Sequence, residues 1–194
     1  MILPTAYCPP AEYFALLARN PRVLLEACES YRKQSWRNRC RILTANGPMD
    51  LRVPVLHDGE RLVSRVRIDR STDWVRRTKY AIDTAYYASP FFEYYRDEFF
   101  GLLDGGQERL WDLNMDLIRF FCSKIGIAPE LVPTQDWVPQ MPEDMREALD
   151  PKRESPSTIR PYWQVFREKY GFVGGLSVMD LLFNEGPESL GYLL

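Results

Sequence analysis

The order of apolar runs and prolines at the amino end most narrowly limits the folds open to this chain. Residues 1–7 are apolar and extended in character, and residues 11–19 have the apolar spacing of a helix. Pro10 suits the first helical turn, where its missing N–H would be unpaired in any case. Pro21 ends the helix, and the apolar run at residues 23–27 predicts a second strand. A strand, a helix and a strand within so few residues predict a parallel crossover and an α/β fold.

A turn signal between two further strand candidates predicts a β-hairpin. Asn46-Gly47-Pro48 lies between residues 40–45 and residues 51–55. Asparagine followed by glycine favours a tight turn, and the apolar runs on both sides favour paired strands. Since a hairpin is antiparallel and the crossover is parallel, we expect a mixed β-sheet.

Helical spacing continues through the middle of the chain and its carboxyl end. Apolar residues recur with a helical period after Asp73, after Pro90 and around Leu113, which predicts three helices. Residues 162–170 predict a short helix. Ser177 then resembles the first residue of a capping box, with Asp180 in place of the usual glutamate. The carboxyl end is therefore expected to be a helical segment.

The remaining long stretch reads as a loop. Residues 135–158 are rich in proline and polar side chains, and a loop of this length in a compact domain is usually functional or mobile. The predicted fold is thus α/β: a single domain over residues 1–194, with a mixed β-sheet and an internal β-hairpin flanked by helices and closed by the carboxyl-terminal helical segment.

Charge and cysteine placement exclude several function classes. The chain has 25 Lys and Arg against 27 Asp and Glu, whereas a nucleic-acid-binding protein usually carries a cationic excess. No run approaches the ~20 apolar residues of a membrane span, and the amino end lacks a charged leader and a long apolar stretch. We therefore expect a cytoplasmic protein with no membrane span and no nucleic-acid partner. Four scattered cysteines predict reduced core residues and no metal or other cofactor.

No familiar catalytic motif is present, and the densest polar stretch is residues 31–39. His57, the one histidine, lies in a predicted turn and is expected to face solvent. Residues 31–39 combine arginines, a lysine and amides with two aromatic side chains, directly after the second predicted strand. Ligands of open α/β sheets lie beyond the carboxyl ends of strands, and arginine forks bind phosphate or carboxylate. The alternative is a solvated basic loop paired with Glu26 and Glu29.

Several stretches together resemble the WbqC-like family, in shared order and spacing over nearly the whole chain. Residues 7–13 are similar to its opening Y-x-P-P-x-x-Y, and residues 29–39 to its E-x-Y-x-K-Q-x-x-R-N-R block. The hairpin at residues 46–55 resembles N-G-P followed by L-x-V-P-V. Residues 85–95 resemble A-Y-x-x-S-P-F-F-E-Y-Y, and the blocks at residues 162–166 and 176–187 also fit.

The resemblance implies a role in bacterial surface-polysaccharide synthesis. Relatives occur in O-antigen and capsule settings and have been proposed as sugar-modifying transferases, including glycine or acyl transfer. The family pattern implies a histidine in the helix before the block at residues 85–95, and this sequence has Thr78 at about that position. Either that histidine is not essential, or Lys79 or Glu93 substitutes, or the chain has a different role.

Two functions from different classes follow. The first is a transferase acting on a phosphorylated or nucleotide-linked sugar, with Glu93 as base and Lys33 beside it as the predicted catalytic residues. The predicted substrate-binding residues are Tyr7, Tyr31, Gln34, Arg37, Asn38, Arg39 and Lys79. In this scheme Lys33 and two arginines bind the anion, the amides orient sugar hydroxyls, and the tyrosines stack. The alternative is a non-catalytic scaffold or binding protein of a glycan-assembly complex. Homo-oligomerisation stays open under both.

Overall fold

The structure, a computed structural model, describes residues 1–152 and 159–194. It contains five strands and seven α-helices in these residues. The strands are β1 (Ile2–Pro4), β2 (Arg22–Glu26), β3 (Arg39–Thr44), β4 (Gly47–Arg52) and β5 (Glu130–Pro133). The helices are α1 (Ala11–Arg19), α2 (Trp74–Tyr86), α3 (Phe92–Asp104), α4 (Leu110–Ile125), α5 (Arg167–Tyr170), α6 (Val178–Glu185) and α7 (Ser189–Leu193).

The first sheet is parallel and has the strand order β1-β2-β5. Ile2 pairs with Leu24 and Leu24 with Val132, so β2 is the central strand. The helix α1 connects β1 to β2, and the Tyr13 hydroxyl donates a hydrogen bond of 2.9 Å to the carbonyl of Pro4. The predicted parallel crossover is confirmed. The third strand, β5, was not predicted, because its four residues carry no period-2 pattern.

The predicted hairpin is confirmed, although its second strand begins four residues earlier than expected. Strands β3 and β4 pair antiparallel, from Arg39 with Arg52 to Thr44 with Gly47. Gly47 has φ +100°, a conformation that would be strained for a residue with a side chain. Strand pairing begins again at Gly47, directly after the turn. The α/β class is confirmed. Parallel and antiparallel pairing lie in two small sheets rather than in one mixed sheet.

Helices α2, α3, α4 and α6 enclose an aromatic core. Phe183 lies 5.1 Å from Phe92, 5.3 Å from Tyr86 and 6.0 Å from Phe99, measured between ring centroids. Edge-on contacts of this kind add to the burial of apolar area. The three central helices follow the predicted periodicity, and Gly126 ends α4 in the left-handed conformation.

The carboxyl-terminal helical segment is also confirmed, with shorter helices than predicted. Only residues 167–170 of the predicted helix at 162–170 are helical. The loop predicted at residues 135–158 has no helix or named strand over its described part, residues 135–152; residues 153–158 lie outside the described residues. Among the described residues, no helix has both the length and the apolar content needed to cross a bilayer.

Asp180 is buried in α6 and does not complete a capping box. Ser177 caps the helix by accepting a hydrogen bond from the Met179 N–H. The Asp180 carboxylate instead accepts hydrogen bonds of 2.8 Å from the Tyr162 hydroxyl and from Gln164 Nε2. Burial raises its pKa from 3.8 to about 6, and these two hydrogen bonds limit the rise.

Asp180→Asn should stabilise the protein near neutral pH and have little effect near pH 4. The folded-state pKa lies above the unfolded value of 3.8, so the wild type loses stability as pH rises from about 4 through about 6. A pKa difference of about 2 corresponds to about 3 kcal/mol. Asparagine keeps an acceptor for Tyr162 and does not titrate. Urea unfolding of both proteins at the two pH values measures the effect, and a pH-independent difference would contradict it.

Candidate functional site

A buried ion pair shapes the connector between β2 and β3, which contains most of the predicted site residues. Arg37 Nε donates to Glu29 Oε1 at 2.7 Å, and Arg37 Nη2 donates to Glu29 Oε2. Only 4% of the Arg37 side chain and 7% of the Glu29 side chain are exposed. The Arg37 carbonyl accepts a hydrogen bond of 2.8 Å from Asn114 on α4. The bidentate pair leaves Arg37 committed to the fold.

A cavity of about 700 Å³ lies between this connector, the hairpin, residues 53–57 and one face of α2. Four of its lining residues are Lys or Arg, namely Lys33, Arg39, Arg52 and Arg77, and two, Asp50 and Asp69, are acidic. Counting Lys, Arg and Asp alone, four positive formal charges against two negative ones leave the lining at +2. We call this space the hairpin cavity. Its volume is within the range of small-molecule sites.

Five of the predicted site residues line the hairpin cavity: Tyr31, Lys33, Gln34, Asn38 and Arg39. Asn38 Nδ2 donates to the Val53 carbonyl at 2.9 Å, which joins the connector to the end of β4. Arg39 Nη1 lies 3.2 Å from Asp50 Oδ2. Burial raises the pKa of Tyr31 to about 12, against the opposing effect of Arg39 and Arg37. The connector thus brings one aromatic ring, two amides and two cations to a single wall.

The other four predicted residues lie elsewhere. Tyr7 is fully buried in the core. Arg37 is in the buried pair with Glu29. Lys79, on α2, pairs with Asp104 and lies 5.4 Å from the ring centroid of Phe100. Glu93 lines a separate cavity between α2 and α3, so the two residues predicted to be catalytic, Lys33 and Glu93, are not brought together.

Several lining residues were missed by sequence reasoning. His57 is exposed, as predicted, but it also lines the hairpin cavity together with Asp69, which was not predicted. Hydrogen bonding by Ser71 is the main cause of the lowered pKa of Asp69, and His57 adds a small electrostatic contribution. Arg77 was missed although a signal existed. It follows Trp74, the first apolar residue of the helical spacing after Asp73, by three residues, so the two side chains lie on the same helix face.

Two buried donors at the cavity lining lack an acceptor. Within the described residues, Trp74 Nε1 and Arg39 Nε have no hydrogen-bond partner, and both residues line the hairpin cavity. Trp74 is only 5% exposed. A buried N–H without a partner is costly, so a ligand oxygen that reached either donor would be bound favourably.

The amino end of α2 adds a favourable dipole at the same place. Trp74 is the first residue of this 13-residue helix, and Asp73 makes no side-chain capping hydrogen bond. Thr72 also lines the cavity. Unpaired backbone N–H groups at a helix start attract anions. Together with the unpartnered Trp74 Nε1, this end of the cavity favours a negatively charged group.

Comparison with known proteins identifies the family. The model of the WbqC-like protein family matches residues 5–158. The chain belongs to the WbqC-like family. It is also 28% identical over 225 residues to a protein of Mycobacterium tuberculosis named "Uncharacterized protein Rv1507c", a match that covers 99% of this chain and 96% of that protein. No solved structure matches the chain.

The position at which the WbqC-like pattern implies a histidine lies at the hairpin cavity. Thr78 lines this cavity and is 4% exposed. It follows Trp74 by one helical turn, so the two side chains share the cavity face of α2. At this point of the cavity wall, this WbqC-like protein therefore presents a small hydroxyl side chain.

Arg37→Met should destabilise the protein by about 3–5 kcal/mol, because it leaves the Glu29 carboxylate buried and unpaired. The double variant Glu29→Leu/Arg37→Met should lose much less, since no buried charge is left over. Arg32→Met serves as the control. It breaks a pair with Glu147 in which both side chains are about half exposed, and it should cost less than about 1 kcal/mol. Urea unfolding followed by circular dichroism measures all three. A double variant as unstable as Arg37→Met would refute the pair's role.

Proposed function

We propose that this WbqC-like protein is a transferase that binds a phosphorylated or nucleotide-linked sugar in the hairpin cavity. The observation that carries the proposal is the cationic lining, in which four cations face two carboxylates around about 700 Å³. The setting we propose is surface-polysaccharide synthesis in the bacterial cytoplasm, with glycine or acyl transfer as the candidate reaction.

The ligand's phosphate is assigned to the cationic side chains of the lining, two of which, Lys33 and Arg39, belong to the connector wall. Lys33, Arg39 and Arg77 supply positive charge there. The amino end of α2 and Trp74 Nε1 supply uncharged donors. A phosphate group presents several oxygens and negative charge to these donors, whereas an unphosphorylated sugar leaves the charges unmatched.

The sugar or base is assigned to the connector wall. Tyr31 offers a partly buried ring for stacking, and Gln34 and Asn38 offer amides for hydroxyl groups. Gln34 has φ +58°, an uncommon conformation for a residue other than glycine, and such conformations occur often at binding sites. A sugar nucleotide fills this space more fully than a sugar phosphate, because it adds an aromatic base, a ribose and a second phosphate to the sugar ring.

The catalytic assignment stays a prediction. Glu93 and Lys79 lie outside the hairpin cavity, so neither substitutes for a base there without a rearrangement. Asp69 is a weak base in this lining, because hydrogen bonding by Ser71 holds its pKa below the usual range. His57 also lines the cavity, and a nitrogen of its neutral ring can accept a proton. Thr78 favours the second candidate function, a binding protein without catalysis. Acyl transfer needs an activated donor, so UDP-glucose is incubated with an acyl thioester; appearance of acylated UDP-glucose by mass spectrometry, with release of the free thiol, distinguishes a transferase from a binding protein.

Arg77→Ala and Lys33→Ala should each weaken binding of UDP-glucose about tenfold. A hydrogen bond to a charged group contributes about 1.5–3 kcal/mol, and about 1.4 kcal/mol is tenfold in Kd. We use the lower end because both side chains are exposed. Isothermal titration with UDP-glucose, glucose 1-phosphate and glucose measures the Kd of each, with the two phosphorylated probes expected to bind more tightly.

Arg76→Ala is the matched control for Arg77→Ala. Arg76 is also exposed on α2, pairs with Asp73 and does not line the hairpin cavity, so its loss should leave the Kd within about twofold, given the small contribution of exposed pairs. Equal binding of glucose and glucose 1-phosphate, or an unchanged Kd in Arg77→Ala and Lys33→Ala, would refute the proposal.

A further inference from the structure

A second cavity, of about 610 Å³, lies between α2 and α3 on a different face of α2. We call it the tyrosine cavity. Its lining includes Tyr80, Asp83, Tyr87, Glu93, Arg96 and Asp97. Tyr80 and Tyr87 are seven residues apart, two turns along the same helix face. Tyr80 and Tyr87 are 74% and 77% exposed, whereas tyrosine is usually at least partly buried in a folded protein.

The tyrosine cavity is anionic. Asp83, Glu93 and Asp97 carry three negative charges against the single positive charge of Arg96, a sum of −2. Arg96 is already neutralised by its neighbours. Its Nε and Nη2 donate to the two oxygens of Asp83 at 2.7 and 3.0 Å, and its Nη1 donates to Asp97 at 3.2 Å.

Glu93 is the uncommitted charge of the tyrosine cavity. In the described part of the chain, its carboxylate makes no hydrogen bond or ion pair, and it lies beside exposed tyrosine rings. Both a free carboxylate and the faces of aromatic rings attract a positive charge. The same charges repel the phosphate-bearing ligand proposed for the hairpin cavity, so the two cavities select different chemistry.

We propose that the tyrosine cavity binds an organic cation of the alkylammonium class. The rings of Tyr80 and Tyr87 contact the alkyl groups and attract the charge through their faces, and Glu93 supplies the counter-charge. Arg96, fixed by Asp83 and by its position 5.0 Å from the ring centroid of Phe100, holds one wall in place. This site is independent of the hairpin cavity.

The test compares choline with neohexyl alcohol, its uncharged carbon isostere, by protein-observed NMR titration. Choline should bind at least about tenfold more tightly, because only the charge differs between the two probes. Raising the salt concentration should weaken choline binding, since the counter-charge is exposed. Equal affinity for the two probes, or perturbed resonances outside α2 and α3, would overturn the proposal.

Variants identify the residues. Tyr87→Leu should weaken choline binding about fivefold or more, and Tyr87→Phe should keep it within about twofold, because the ring face and not the hydroxyl carries the attraction. Glu93→Gln should weaken binding and flatten its salt dependence. Tyr94→Leu is the control, since Tyr94 is 80% exposed on α3 and does not line the cavity.

Two outcomes would replace the proposal with another. If Tyr87→Phe loses as much affinity as Tyr87→Leu, the hydroxyl makes the decisive contact and the site is not a cation site. If glucose perturbs the resonances of Tyr80 and Tyr87 while choline does not, the cavity binds a neutral saccharide. An unaltered amide spectrum outside the substituted position shows that each variant is folded.

Discussion

The buried pair of Glu29 and Arg37 is the interaction on which the candidate site depends. Two charges removed from water need hydrogen bonds in return, and the bidentate contact supplies two of them to each side chain. The backbone around the pair is held as well. The Tyr7 N–H donates to the Trp36 carbonyl at 2.8 Å, and the Val63 N–H donates to the Glu29 carbonyl at 3.0 Å. The connector between β2 and β3 is thereby folded back on the core, which leaves Lys33 and Gln34 directed to the hairpin cavity.

A second buried carboxylate at the end of β2 organises the long loop in the same way. Glu26 is fully buried and accepts hydrogen bonds from Thr134 Oγ1 at 2.7 Å and from Arg146 Nη1 at 2.9 Å. Trp137 covers the Arg146 guanidinium, with 4.4 Å between the group and the ring centroid. Two buried carboxylates near the carboxyl end of β2 therefore hold two different segments in place. Glu26 holds residues 134–146, and Glu29 holds residues 30–38.

Elements with a local sequence pattern could be predicted, whereas pairing between distant parts of the chain could not. The helix α4 and the hairpin follow from periodicity and turn residues that lie within the elements themselves. Strand β5 pairs with residues about a hundred positions earlier in the chain, and its four residues carry no pattern that names a partner. The same limit applies to the site. A basic segment after β2 was predictable, but nothing local separates Arg37, which turns inward to Glu29, from Arg39, which lines the cavity. Glu93 was paired with Lys33 because of the chemistry of the two side chains alone. The fold places α3, which carries Glu93, on a different side of α2 from the hairpin cavity.

The helix α2 separates two cavities of opposite charge, and this explains why composition gave no hint of either. Trp74, Thr78 and Ala81 face the hairpin cavity, whereas Tyr80 and Tyr87 face the tyrosine cavity. With 3.6 residues per turn, a single residue step changes the face, so neighbours in sequence serve different cavities. The lining charges of +2 and −2 cancel when counted together. A near-neutral chain is thus consistent with an anion site and a cation site about one helix diameter apart, roughly 10 Å, and net charge alone excludes only ligands that need a large continuous field.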